Sequence, residues 1–187
     1  MIRRHILDGD RTYRHEMAHA EDYDLWSRLS ERTRYANLPE CHYVRIKHQQ
    51  MVSVRHAKDQ QEKSHTLRRR NVERTLGTEV DEDVLHSLYV SQQEVKLTSD
   101  LELKKVADLI CRLFTSFADK NELEDQDRAE VANDAACLLA RIGTRHILEY
   151  PKESIGILFK AARLNRGMPL RGLVNASLAA WKSTVSS

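Results

Sequence analysis

The residues of this chain whose types and spacing suit chemistry begin at Ala20-Glu21-Asp22-Tyr23-Asp24, where three carboxylates stand at the first apolar positions of an amphipathic run. A carboxylate at a loop-to-helix junction can take the proton from an attacking hydroxyl, the step that group transfer to an alcohol requires. Acids there also accept hydrogen bonds from the free amides of the first turn and sit at the positive end of the helix dipole, with no catalytic role at all. Spacing alone leaves both readings open, with Glu21 or Asp22 as the N-cap in either. Other candidates point to ordinary surface. Among nine histidines only His15 and His19 share helical i, i+4 spacing, with no third ligand fixed nearby, so no metal site is assigned. Arg68-Arg69-Arg70, interrupted by Glu73 before Arg74, spreads over several helix faces and reads as solvated, not as a nucleic-acid patch. Asp-x-Asp occurs at Asp8, Asp22, Asp81 and Asp125, which shows how little that pattern specifies; Asp8-Gly9-Asp10 reads as a turn.

The elements that must position these groups are mostly helical. With 6 Gly, 3 Pro and 6% aromatics in 187 residues, turn signals are too sparse for an all-β sandwich. Basic and acidic residues, 30 against 28, nearly cancel and give no general pull toward polyanions. Cys41, Cys111 and Cys137 are odd in number and widely spaced, which fits a reducing, cytoplasmic setting better than a disulfide framework. No apolar run approaches the length of a membrane span, and the basic start lacks the apolar stretch of a signal peptide.

From Tyr23, the spacing places Tyr23, Leu25, Trp26 and Leu29 inward on a short helix, with Asp24, Ser27, Arg28 and Glu31 outward or sideways. Residues 1–20 read as a connector with a short helix near 1–7. Two short β-prone pieces follow at residues 35–39 and 41–46, the first closed by Pro39. The pattern then changes, and a domain boundary is expected near residue 55. Residues 57–76 favour helix, with Gly77 placed as its C-cap. Later helices are expected from Asp81-Glu82-Asp83 (burying Val84, Leu85, Leu88 and Val95) and from the capping-box spelling Ser99-Asp100-Leu101-Glu102. The latter carries Leu103, Val106, Ile110, Leu113, Phe114 and Phe117 on one stripe. Further helices use Val131, Ala135, Leu138, Leu139 and Ile142, with a disturbance at Gly143; then Ile155, Leu158, Phe159, Ala162 and Leu164 after Pro151; then Leu170, Leu173, Val174, Leu178 and Trp181 after Pro169. Short links between them imply a bundle, in which Cys111 and Cys137 are small core residues.

The run Ala20 to Leu29, followed by Tyr35-Ala36-Asn37-Leu38-Pro39-Glu40 and by His48 with Ser53 beyond it, resembles the latter part of the catalytic domain of family 2 glycosyltransferases. Tyr13 stands at the family's usual distance before the acidic pair, and the resemblance covers residues 1–55. It implies the C-terminal end of an α/β GT-A domain, a helix plus two short strands, followed by an α-helical extension over residues 56–187. It also implies an inverting transferase in which Asp22 is the acceptor base with Glu21 beside it, Trp26 and Leu29 anchor the base-bearing helix, and His48, Lys47 and Arg45 lie near the diphosphate. Arg45 is three residues before His48 where the family pattern has two, so Lys47 is the alternative cation. Where the family has a glycine pair before the tyrosine, this chain has Arg11-Thr12. The complete enzyme is expected to use a nucleotide-sugar donor, an acceptor glycan or lipid-linked sugar, and a divalent metal (Mn or Mg). The family's nucleotide-binding sheet is not recognisable in this sequence, so the chain by itself is expected to be inactive and to need no cofactor. The alternative is a non-catalytic α-helical module that docks a protein partner.

Overall fold

Six α-helices make up most of the residues described in a computed structural model, and no strand occurs among those residues, which are 4–7, 12–33, 35, 56–92, 96–165 and 167. The helices are α1 (Glu21–Leu29), α2 (Ala57–Leu76), α3 (Glu82–Gln92), α4 (Asp100–Lys120), α5 (Asp125–Arg145) and α6 (Pro151–Leu164). Two 3-10 turns, Arg4–Leu7 and His15–Met17, precede them. The chain is thus mainly α, as its composition implies. Apart from Tyr35, the strands expected at 35–39 and 41–46 lie outside the described residues, as do Asp8-Gly9-Asp10, Val95 and the final helix expected after Pro169. Contacts divide the chain into two compact units, Met1–Asn71 and Val72–Ser187, so the division falls inside α2. The expected boundary near residue 55 itself lies outside the described residues.

Local chemistry explains where the helices start and stop. Gly77 takes a φ of +72°, the left-handed conformation that a Cβ disfavours, and its amide closes α2 on the Glu73 carbonyl at 2.7 Å. Lys120 Nζ satisfies the Arg74 carbonyl at 2.9 Å. At the start of α4 the Ser99 hydroxyl accepts the Glu102 amide at 3.1 Å, while Glu102 reaches back to the Thr98 amide at 2.8 Å. Both arms of a capping box form, the returning one a residue earlier than the usual geometry. Pro151 occupies the first turn of α6, where its missing N–H costs nothing.

In the second unit the core joins Leu85 and Leu88 of α3, Leu103, Val106, Leu109 and Ile110 of α4, Leu139 and Ile142 of α5, and Ile157 and Leu158 of α6. Full burial of each such side chain contributes about 1.5–3 kcal/mol. Helix α5 continues unbroken through Gly143, contrary to the expected disturbance. A Cβ there would lie 3.0 Å from Leu158 Cγ and 3.1 Å from the Ser154 carbonyl oxygen, so the glycine serves the close approach of α6. Closeness also rotates α6: Ser154, Ile157, Leu158 and Ala161 are buried, whereas Phe159, expected inside, is 66% exposed. His146 is fully buried; its Nε2 accepts the Leu97 amide at 2.8 Å and its Nδ1–H donates to the Ile142 carbonyl at 2.9 Å. That bond fixes the segment entering α4.

Candidate active site at the start of α1

Helix α1 begins one residue earlier than its acids suggest. Its first turn opens with the Asp24 amide on the Ala20 carbonyl at 3.0 Å, so the N-cap is the buried Ala20, and neither Glu21 nor Asp22 caps the helix as expected. Both acids sit within the first turn, where they favour the helix through its dipole instead. Asp22 is exposed, and so is Tyr13, at 59%. The Asp22 carboxylate first, then burial and the Glu21 charge, hold the Tyr13 phenol above its ordinary range. Glu21 is partly buried, and its Oε2 is enclosed with no hydrogen-bond partner among the described residues.

The buried face of α1 differs from the expected one. Leu25 and Leu29 do point inward, but so do Asp24, with no exposed surface, and Ser27; Tyr23 and Trp26 are 36% and 43% exposed. Burying a carboxylate is costly unless it is paired, and Asp24 is paired. Arg28 Nε lies 2.8 Å from its Oδ2, Arg14 Nε 4.0 Å from the same oxygen, and an Arg70 terminal nitrogen 3.5 Å from Oδ1. Ser27 donates to the Asn71 side-chain carbonyl at 2.6 Å. Trp26, expected as an anchor, instead meets Tyr35 edge to face at 5.8 Å and offers its carbonyl to the Tyr35 hydroxyl at 2.9 Å.

Further bonds hold the segment ahead of α1. Arg28 Nη2 donates to the Thr12 carbonyl at 2.6 Å, and Lys63 of α2 donates to the Ala18 carbonyl at 2.9 Å. His15 and His19 are not on one continuous helix: His19 has a φ of +72° beyond the 3-10 turn and stacks on His56 at 3.9 Å. No three His, Cys, Asp or Glu side chains among the described residues converge on a point where a metal ion could sit. The expected diphosphate contacts His48, Lys47 and Arg45 lie outside the described residues, so nothing here brings them to Asp22.

Arg14 and Arg70 escaped the sequence reading. Asp24 and Arg28 stand at i, i+4 spacing, a readable signal for an ion pair. Arg70 lies 46 residues from Asp24 and belongs to a run that reads as solvated, so only tertiary structure could reveal its role. No protein-family model, curated protein or solved structure matches the chain.

Proposed function

We propose that this chain carries the acceptor side of a family 2-like glycosyltransferase, with Asp22 as the base that takes the proton from an acceptor hydroxyl. The observation that carries the reading is the contrast within one helix turn. Asp24 is buried and saturated by arginines, whereas Asp22 stands exposed at the surface. An acceptor O–H beside Asp22 would lose its proton to that carboxylate as its oxygen bonds to the anomeric carbon of a nucleotide-sugar and the nucleoside diphosphate departs. Glu21 adds negative charge beside the base, and His48, with Lys47 or Arg45, would meet the diphosphate. The acceptor is a glycan or a lipid-linked sugar.

In this reading residues 1–55 are the end of the GT-A domain, and the nucleotide-binding half lies outside the 187 residues. The Mn or Mg ion expected of the complete enzyme finds no ligand set among the described residues, and no step is assigned to it. The thiols of Cys111 and Cys137 are unpaired, which supports a cytoplasmic setting, and no described helix is long and apolar enough to cross a membrane. Two measurements test the reading. Titrating the chain with UDP- and GDP-sugars plus manganese in a calorimeter is expected to give no micromolar binding; clear heat would place the donor site within these residues. In the complete enzyme, Asp22→Asn is expected to lower turnover by about 100-fold or more with donor affinity little changed. Undiminished turnover would remove Asp22 from the mechanism.

A second reading, a helical module that docks a protein partner, is favoured by one surface. An apolar groove lined by Leu113, Phe114 and Phe117 of α4 and by Val131, Ala135 and Leu138 of α5 opens on the second unit. Phe117, expected in the core stripe of α4, is 41% exposed there. Under this reading residues 57–187 alone retain the partner, and Asp22→Asn changes nothing.

A further inference from the structure

Helix α6 has a second apolar side that the core of the second unit does not use. Its core side, Ser154, Ile157, Leu158 and Ala161, is buried, and the helix packs on α5 and α4. Pro151, Ile155, Phe159 and Ala162 recur at i, i+4, i+8 and i+11, a separate ridge along the same helix. Pro151 is exposed, Ile155 and Ala162 are half-buried, and Phe159, at 66%, is the most exposed large apolar side chain among the described residues. A hollow whose lining includes Phe159, Ala162 and Arg163 lies on this ridge. A single exposed apolar side chain is ordinary, but a continuous apolar ridge marks a surface that something covers.

The chain beyond α6 supplies a candidate for the cover. Asn165 ends the helix with its side chain doubly engaged: Nδ2 donates to the Asn133 side-chain oxygen of α5 at 2.8 Å, and Oδ1 accepts the Gly167 amide at 2.9 Å. The second bond makes an Asx turn, which bends the chain just past α6. Residues 169–182 lie outside the described residues, and their sequence predicts a helix with Leu170, Leu173, Val174, Leu178 and Trp181 on one face. Residues 165–168 alone separate that run from α6, a link of the length that joins antiparallel neighbours. We propose that residues 169–182 form a helix that packs antiparallel on the outer side of α6, with its apolar face against Ile155, Phe159 and Ala162. The ridge is then an internal interface of this chain, and the groove of α4 and α5 stays open to a partner. None of this rests on the transferase reading.

Trp181 reports the docking, because the chain has two tryptophans and Trp26→Phe leaves Trp181 alone. In that full-length chain its emission is expected to be blue-shifted and shielded from acrylamide at every protein concentration. Phe159→Asp is expected to raise acrylamide quenching of Trp181 about threefold or more, toward its value in concentrated urea, because docking would then bury an unpaired carboxylate. Phe159 is exposed, so the substitution leaves the core intact, and a retained cooperative thermal melt checks that it does. Phe117→Asp, in the groove of α4 and α5, is expected to leave Trp181 shielded. Release of Trp181 by Phe117→Asp, or shielding that survives Phe159→Asp, overturns the assignment to α6. Quenching as free in buffer as in urea would show that nothing holds the segment, and shielding that fades on dilution would show that a second copy supplies the cover. Either result overturns the intramolecular contact.

Discussion

Asp22 and Asp24 stand two positions apart on one helix and carry the same carboxylate into opposite surroundings. The separation follows from helix geometry, since two residues of advance turn a side chain by roughly 200° about the axis. Asp24 thereby faces the interior, where its charge survives only because Arg28, Arg14 and Arg70 surround it. Replacing it with alanine would leave those guanidinium groups facing one another, at a cost of about 2–3 kcal/mol. That is less than a fully buried pair would lose, because Arg14 and Arg70 are 39% and 40% exposed. Asp22→Ala is expected to cost less than about 1 kcal/mol, since it forfeits only a favourable place at the helix dipole. Urea unfolding of the two variants measures the difference, and equal losses would contradict the assignment of Asp24 as the structural acid. The sequence shows the acids but not which of them is inside. An amphipathic count puts Trp26 in the core and Asp24 in water, because it scores side chains singly. What reverses the order is a partner: Arg70 for the aspartate, and Tyr35 for a tryptophan that stays half out.

Helix by helix, the starts and stops were legible because they depend on neighbours in sequence. Ser99, Gly77 and Pro151 each do locally what their types imply. The buried face of α6 was less legible because it depends on the shape of α5. At Gly143 the missing side chain lets α6 approach closely, and α6 buries Ser154, Ile157, Leu158 and Ala161 while Phe159 stays exposed. The two glycines of this pair give opposite expectations. Gly143→Ala is expected to destabilise by about 1–2 kcal/mol, since the new methyl group would press on Leu158 and on the Ser154 backbone oxygen and outweigh the gain in helix propensity. Gly156→Ala meets nothing within 4 Å and is expected to stabilise by about 0.5–1 kcal/mol. Thermal melting of both variants checks the signs, and a stabilising Gly143→Ala would mean that the helices part more easily than their contacts suggest.

At the scale of the whole molecule the two units have different characters. The first has a small described core of Ala20, Leu25, Leu29 and Leu67 with ionic reinforcement, while the second buries a continuous apolar cluster from Val80 to Ala161. Residues 57–187 alone are accordingly expected to fold and to melt in one cooperative transition, seen by circular dichroism. A broad, non-cooperative melt would show that the second unit depends on the first. Sequence could suggest a change of character along the chain, but not where contacts divide it, because that division runs through α2, whose sequence is mostly polar. This helix has a consequence for how the chain folds. Initiating a helix is the unfavourable step and extending one is not. The last turn of α2, fixed by the Gly77 cap and by Glu73 on the Val80 amide, belongs to the second unit. Once that end has formed, further turns can add backwards into residues of the first, carrying Leu67 and Arg70 into register.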